Sequence, residues 1–391
     1  MQQILQVSLM NLANLKYRAA SSLVICIGIG GVVAVLITVL AMATGLGDTF
    51  GDAGDEDRAI VVRDGALAES LSSLTREATL AVETAPGVAL LRSGLPAVSP
   101  EVVASVALPR IEGDLLSPVS VRGVTAAAFE VRPEFQLVEG RYFSAGLHEI
   151  VAGKMASEQF QNLKVGDRIS FHNTDWSVVG IFQSSGDAHE SELLIDAATL
   201  MSATNRTVFN SVTVRLASVA SFAEFEDALE SNPQLTVDVQ RESDYYRGQS
   251  DRISGLLSIV AYVVGTIMAI GALCGALNTM YSAVEVRTVE ISTLRAIGFG
   301  ALPVVVSVLI EALALALVGA GIGAAIAWLL FNDNTFMTGN ALTSVALRLD
   351  VGASLFVVGV AWACSIGFLG GLLPAIKAAR RSVADGLRVV L

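Results

Sequence analysis

Residues 283–299 read AVEVRTVEISTLRAIGF and lie between two long apolar segments of the chain. The preceding segment, residues 253–284, has no charged side chain. The quoted stretch contains four charged residues: Glu285, Arg287, Glu290 and Arg295. A charge at the centre of a bilayer costs about 2.5 to 3.5 kcal/mol on insertion scales, so charged residues are rare in spanning segments. The pattern predicts that the chain leaves a membrane here and enters it again afterwards.

The same stretch has the spacing of a short amphipathic helix. Three apolar residues recur every three positions and share one face of that helix: Ile291, Leu294 and Ile297. Arg287 and Glu290 stand three residues apart, which predicts a pair on another face. Gly298 is typical of the position just after a helix, and Pro303 suits the first turn of the next one. A helix of this kind at a membrane surface is either a passive loop or a docking element.

The composition of the whole chain indicates an integral membrane protein. Of 391 residues, 53% are hydrophobic and 16% are charged, and the mean hydropathy is +0.62. The formal net charge is −12, which argues against a nucleic-acid partner because phosphate binding requires a basic surface. The three cysteines, Cys26, Cys274 and Cys364, fall inside apolar runs and are interpreted as small residues of membrane helices.

Apolar runs long enough to cross about 30 Å of hydrocarbon alternate with polar regions. The sequence predicts a membrane protein with four transmembrane α-helices and a large α+β extracytoplasmic domain between the first and second helices. The predicted order is a cytoplasmic interfacial helix at 1–18, TM1 at 19–44, the extracytoplasmic domain at 45–252, TM2 with a stalk at 253–283, a cytoplasmic helix at 284–302, TM3 at 303–331, a short outer loop at 332–350, TM4 at 351–376 and a cytoplasmic tail at 377–391.

The domain at 45–252 has short alternating runs in place of long apolar ones. Two of these runs, 168–171 and 176–182, flank the turn signal Asn173-Thr174-Asp175 and predict a β-hairpin. We expect two lobes in this domain, with residues 130–207 inserted into a fold that begins before them and ends after them.

Basic residues set the predicted orientation. Two precede the first span and four follow the last: Lys16, Arg18, Lys377, Arg380, Arg381 and Arg388. Because Lys and Arg accumulate on the cytoplasmic side, both termini are predicted to be cytoplasmic. Four crossings then place residues 45–252 outside and residues 284–302 inside.

One ionisable residue, Glu311, lies deep in a predicted span. A charge at that depth indicates a functional position, but a hydrogen bond that fixes the packing of a neighbouring helix is an alternative. Six glycines give small-xxx-small spacings typical of close helix packing in lipid: Gly271, Gly275, Gly319, Gly323, Gly367 and Gly371.

No motif in the sequence indicates a catalytic or metal site. The three histidines, His148, His172 and His189, have no partner at helical spacing and no nearby cysteine. Gly153-Lys154 lacks the first glycine and the following Ser or Thr of a phosphate-binding loop. We therefore expect no cofactor on this chain.

With the topology placed, residues 284–300 resemble the cytoplasmic segment of FtsX/MacB-type ABC transporter permeases, the type VII ABC superfamily. The match is carried by Arg287, Thr288, Glu290, Ile291, Leu294, Arg295, Ala296 and Gly298. Weaker matches are Leu309 to Leu313, Leu373-Pro374-Ala375 and Val165-Gly166-Asp167. The family usually has proline near position 383, where this chain has Val383.

The resemblance implies a stand-alone permease subunit in the bacterial inner membrane, with its large domain in the periplasm. A second permease copy and a separate ABC ATPase, which would carry ATP and Mg²⁺, are the implied partners. The residues implied to couple to that ATPase are Glu285, Arg287, Glu290, Ile291, Leu294, Arg295, Ala296 and Gly298. The implied function is mechanotransmission for export, with a periplasmic adaptor and an outer-membrane channel. Extraction of lipid or lipoprotein, and signalling to a cell-wall hydrolase, are the alternatives.

Overall fold

The computed structural model describes residues 19–51, 53–111, 113, 116–332, 335–339, 344–349 and 351–380. The interfacial helix predicted at 1–18 and residues 381–391 of the predicted tail lie outside these ranges. The chain divides into two compact units. Residues 19–44, 254–332 and 349–380 belong to the helical unit, and residues 45–253 and 335–348 belong to the sheet unit.

The α-helices of the described ranges are numbered in chain order. They are α1 (Ala19–Gly51), α2 (Arg76–Glu83), α3 (Ala128–Val131), α4 (Lys154–Gln159), α5 (Ala197–Thr204), α6 (Phe222–Glu230), α7 (Glu242–Val286), α8 (Thr288–Ala296), α9 (Ala301–Phe331) and α10 (Ala353–Arg380). Within these ranges, four helices are long and apolar enough to cross a membrane: α1, α7, α9 and α10.

The strands are likewise numbered in chain order. They are β1 (Arg58–Arg63), β2 (Val98–Pro109), β3 (Leu116–Val124), β4 (Gln136–Gly140), β5 (Glu149–Gly153), β6 (Arg168–Phe171), β7 (Thr174–Gln183), β8 (Leu193–Asp196), β9 (Ser211–Arg215), β10 (Val237–Arg241), β11 (Thr335–Gly339) and β12 (Ser344–Arg348). Ten of them form one mixed sheet in the order β10-β1-β9-β2-β3-β8-β5-β7-β4, with β6 paired to β7.

The sheet unit has two main hydrophobic cores on this continuous sheet. The first core includes Val61, Val214 and Phe225, and the second includes Phe160 and Trp176. The second core also draws on β2 and β3, which precede residue 130, so it begins earlier in the chain than the predicted lobe. β2 joins the two halves because its first residues pair with β9 and the rest pair with β3.

The hairpin predicted in this domain is confirmed, with a different turn. β6 and β7 are antiparallel, and Phe171 pairs with Thr174. The two residues between them, His172 and Asn173, have φ of +50° and +57°. Two consecutive positive φ values define the type I′ turn that matches the twist of a two-residue hairpin. The turn therefore starts one residue earlier than Asn173-Thr174-Asp175.

The helical unit packs closely at some of the predicted glycines. A Cβ placed on Gly323 of α9 would lie 2.2 Å from the carbonyl oxygen of Gly30 in α1. On α10, a Cβ on Gly371 would lie 2.7 Å from the Cβ of Ala312. The spacing thus marks real contacts between helices. A Cβ on Gly275 of α7 would meet no described atom within 4 Å, so the same spacing there has no packing partner in the described chain.

Two connections differ in form from a simple loop or span. The region predicted as the short loop 332–350 contains β11 and β12, an antiparallel pair that belongs to the sheet unit. α7 is one helix of 45 residues, about 68 Å long at 1.5 Å per residue. Its first part, 242–253, lies in the sheet unit and the rest lies in the helical unit.

Candidate functional site

The charged stretch at 283–299 forms a helix of its own. α7 ends at Val286, and Arg287 has φ −93° and ψ 9°, which interrupts the helical backbone before α8 starts at Thr288. α8 has nine residues. Gly298 then adopts φ +104°, a conformation that favours glycine, and the chain turns toward α9. No Gly or Pro marks the break at Arg287, so the sequence does not show whether α8 is continuous with the preceding span.

Arg287 is held by an ion pair with Glu311 of α9. Its Nη1 lies 2.7 Å from Oε2 of Glu311, and the two residues are 7% and 4% exposed. The predicted pair between Arg287 and Glu290 is therefore wrong, because the guanidinium turns inward to Glu311 and Glu290 stays exposed. A carboxylate buried among apolar helices needs an opposite charge more than a solvated one does.

A small pocket surrounds this ion pair. Its lining is mainly apolar, and the lining residues are Met280, Ala283, Val284, Arg287, Glu290, Ile291, Leu294, Val304, Ser307, Val308 and Glu311. Nη2 of Arg287 is buried and has no hydrogen-bond partner among the described residues. Helices α7, α8 and α9 all contribute to the pocket, which brings four of the predicted coupling residues together with the intramembrane carboxylate of Glu311: Arg287, Glu290, Ile291 and Leu294.

The apolar face of α8 is shorter than predicted. Ile291 packs against the helical core, and Leu294 is half-buried and lines the pocket. Ile297 is 72% exposed, so its assignment to the same face is wrong. The reason is its position, since α8 ends at Ala296 and Ile297 already belongs to the turn that leads to Gly298.

The other predicted site residues lie on the surface of this region. Glu285, in the last turn of α7, pairs with Lys377 of α10 at 3.5 Å. Nζ of Lys377 also lies 4.9 Å from the ring centre of Tyr281. Arg295 is half-buried in the last turn of α8, where a positive charge favours the helix terminus, and Ala296 is exposed.

Sequence reasoning singled out Arg287 and Glu311 separately and did not join them. The signal was available, because an acid inside a span requires a partner and Arg287 is a basic residue just outside the preceding span. Lys377 was seen only as a marker of orientation. Within the described ranges, no three His, Cys, Asp or Glu side chains are grouped as possible metal ligands.

Two family models match the chain. The MacB-like periplasmic core domain matches residues 19–232, more than half of the chain, and the FtsX-like permease C-terminal domain matches residues 262–383. The chain belongs to the FtsX/MacB family of ABC transporter permeases. As a family member with four long apolar helices, it is an inner-membrane protein with an α+β domain of the MacB periplasmic type.

Curated relatives agree with this assignment. The macrolide export ATP-binding/permease protein MacB of Neisseria gonorrhoeae is 27% identical over 293 residues, covering 68% of this chain and 43% of that protein. MacB of Azoarcus sp. is 25% identical over 390 residues, covering 94% of this chain and 56% of that protein. The chain thus spans about half the length of the curated relatives it matches.

Solved structures resemble parts of the chain. The periplasmic region of MacB from Actinobacillus actinomycetemcomitans covers 51% of this chain at 13% identity, with 95% of that structure aligned and a TM-score of 0.37. The extracellular domain of the transporter YknZ from Gram-positive bacteria covers 47% of this chain at 16% identity, with 99% of that structure aligned and a TM-score of 0.36.

Proposed function

We propose that this FtsX/MacB-type permease transmits ATP-driven movement from a separate ABC ATPase to its sheet unit, and that α8 is the helix to which the ATPase binds. The observation that carries the proposal is the anchoring of α8. The buried pair between Arg287 and Glu311 fixes the start of α8 to α9, while Glu290 remains exposed for a partner. A short helix fixed at its base and charged on its outer side is suited to docking.

The distribution of basic residues supports the orientation that this proposal requires. Basic residues near the ends of the first and last spans favour cytoplasmic termini, which would place α8 in the cytoplasm and the sheet unit in the periplasm. ATP and Mg²⁺ would then be bound by the partner ATPase, and this chain would have no catalytic residue. A second permease copy would complete the transporter.

We propose that the transporter exports its substrate with the help of a periplasmic adaptor and an outer-membrane channel. It is supported by family membership and by relatives that are named macrolide export proteins. The sheet unit would act on the substrate or the adaptor, while the membrane helices would transmit movement.

Affinity purification of the tagged chain from its native membrane tests the proposal. We expect an ABC ATPase and a second permease copy to copurify, together with an adaptor. Recovery of a cell-wall hydrolase in place of the adaptor would replace export by signalling. If no ATPase copurifies with the intact permease, either without crosslinking or after it, the proposal is overturned.

A further inference from the structure

The first turn of α7 is tied to the sheet unit by a buried carboxylate. Glu242 is fully buried and accepts hydrogen bonds from Nε of Arg58 and from Nε of Arg132, the latter at 2.9 Å. Arg58 lies on β1, and Arg132 directly follows α3. One side chain of α7 therefore binds two different elements of the sheet unit.

Arg132 continues the connection to the centre of the sheet. It is fully buried and pairs with Glu101 as well as Glu242, and its Nη2 donates to Thr213 of β9 at 2.8 Å. Glu101 is the last residue of β2 that pairs with β9, and Val102 is the first that pairs with β3. The carboxylate of Glu101 thus lies where the two halves of the sheet meet.

Arg122 carries the connection into the second half. It lies on β3, is 2% exposed, and pairs with Glu101 at 2.6 Å. Its remaining hydrogen bonds go to Glu69 and Glu192, so its guanidinium makes five hydrogen bonds to three carboxylates. A guanidinium has five N–H donors in a fixed plane. Every direction of this one is therefore occupied.

Further contacts join the same turns of α7 to other parts of the unit. The hydroxyl of Tyr245 accepts a hydrogen bond from the backbone N–H of Glu69 at 2.8 Å. A Cβ on Gly54 would lie 2.6 Å from the carbonyl carbon of Glu242, so the chain after α1 runs directly against the start of α7. Ser250 donates to the carbonyl oxygen of Leu46 in α1 at 3.3 Å.

These charges form one chain of alternating sign. In order, its members are Glu192, Arg122, Glu101, Arg132, Glu242, Arg58 and Glu134. Buried ion pairs contribute little net stability compared with apolar packing, but separating one leaves an uncompensated buried charge. A fully paired chain therefore disfavours any displacement of the elements that carry it.

We propose that this chain of alternating charges holds the first turns of α7 and both halves of the sheet together as one rigid body. The inference depends on the proposed function in one respect, that movement enters the sheet unit through α7. A rigid connection would pass that movement to both cores at once, without a hinge at the point where β2 changes partners.

Distance measurements on the full chain in lipid nanodiscs test the inference. Spin labels are attached at exposed positions through Arg247→Cys in α7, Asp227→Cys in α6 and Glu158→Cys in α4. Two distances are measured, from α7 to α6 and from α7 to α4. The native cysteines Cys26, Cys274 and Cys364 are replaced by alanine. The test variant is Glu242→Gln, and the control is Glu149→Gln, which removes a pair with the half-exposed Arg141 outside the chain of charges.

We expect narrow distance distributions for both label pairs in the parent and in the control, and broadened distributions for Glu242→Gln. If Glu242→Gln does not fold, Arg58→Lys serves in its place, because lysine keeps the charge and loses the planar fork. Distributions for the test variant as narrow as the parent's would overturn the inference. These measurements need no ATPase, so they stand whether or not the proposed function holds.

A second measurement adds the copurified ATPase and a non-hydrolysable ATP analogue. We expect both distances within the sheet unit to stay unchanged in the parent, because the unit moves as one body. A nucleotide-dependent shift in either distance would show a hinge and overturn the inference. If no ATPase binds the chain at all, the proposed function fails, and the rigid connection is judged on the first measurement.

Discussion

Arg287 and Glu311 are 24 positions apart in sequence and 2.7 Å apart in the structure, and together they fix the start of α8 to α9. The pair lies inside a mainly apolar pocket. Since both residues are almost fully buried, solvent screens their charges little and each depends on the other for neutralisation. The position of the proposed docking helix thus depends on a residue that lies in the following span.

Replacing Glu311 should destabilise the helical unit in proportion to the hydrogen bonding that is lost. Glu311→Leu leaves the buried Arg287 unpaired and should cost about 3 to 5 kcal/mol, whereas Glu311→Gln keeps an acceptor and should cost less. Thermal unfolding in detergent compares the stabilities of the two variants. The double variant Arg287→Met with Glu311→Leu should recover most of the loss, because it removes both charges.

The control for this cycle is Lys377→Gln, which breaks the exposed pair with Glu285 and should change stability by about 0 to 1 kcal/mol. Equal stability and equal transport activity of Glu311→Gln and Glu311→Leu would show that Glu311 has no polar role.

The outer charges of α8 should affect coupling and leave folding intact. Glu290→Ala or Arg295→Ala should insert in the membrane as the parent does, yet lower ATPase copurification and the stimulation of ATP turnover in reconstituted membranes. The reason is that Glu290 is exposed on a helix whose position is fixed from its other side. Asp227→Ala, on an exposed position of the sheet unit, is the control. Unchanged copurification together with unchanged turnover would contradict this assignment.

The sequence predicted elements whose signals are local. Four apolar runs, the hairpin of β6 and β7 and a short helix within 284–302 were predicted from periodicity, charge and turn residues. It did not predict contacts between distant residues. Arg287 was paired with its neighbour Glu290 because spacing along a helix is visible in sequence, whereas the approach of α9 is not.

The same limit applies to the sheet unit. The buried carboxylates Glu101 and Glu242 look like ordinary surface acids in the sequence, since nothing nearby in the chain shows that arginines from other strands reach them. The break at Arg287 was not predicted either, because neither Gly nor Pro marks it in the sequence.

The substitution Gly323→Ala should disrupt the contact between α1 and α9. Its Cβ would lie 2.2 Å from the carbonyl oxygen of Gly30, so the helices must separate, and overpacking of this kind costs about 1 to 3 kcal/mol. Gly321→Ala is the matched control on the same helix, because a Cβ there meets no described atom within 4 Å. In thermal unfolding, Gly323→Ala should melt at a clearly lower temperature than Gly321→Ala. Equal melting temperatures would contradict the close packing of these glycines.

The buried chain of charges in the sheet unit should be sensitive to loss of one member. Each oxygen of Glu101 accepts a hydrogen bond from a different arginine, so Glu101→Gln keeps one acceptor and turns an NH₂ donor toward the other guanidinium. Because both arginines also lose the shared negative charge, the variant should cost about 3 to 5 kcal/mol. Urea unfolding measures the loss through the fluorescence of Trp176, which is fully buried in the second core, in a background where Trp328 and Trp362 are replaced by phenylalanine. Glu149→Gln should have a much smaller effect because its partner Arg141 is half-exposed. A similar midpoint for both variants would contradict the network.

His189 should make the stability of the sheet unit depend on pH. Burial disfavours the charged imidazolium, but the carboxylates of Glu192 and Asp187 outweigh burial and raise the pKa of His189 above its usual value. A raised folded-state pKa gives stability that is fully present below the unfolded pKa of about 6.5 and is lost as pH rises through the folded pKa. The parent should therefore unfold more easily at pH 9 than at pH 6.

His189→Gln should remove this dependence of stability on pH, while a dependence that persists in the variant would assign it to another group.

Asp187 should make stability depend on pH over a second, separate pH range. Burial raises its pKa to about 6, so its contribution is present at pH below about 4 and is lost as pH rises through 6. Asp187→Asn should flatten the stability profile between pH 4 and 6 and leave the loss above pH 6 in place, because His189 still pairs with Glu192 at 3.0 Å. Unfolding midpoints across the pH range, measured on both variants, distinguish the two groups.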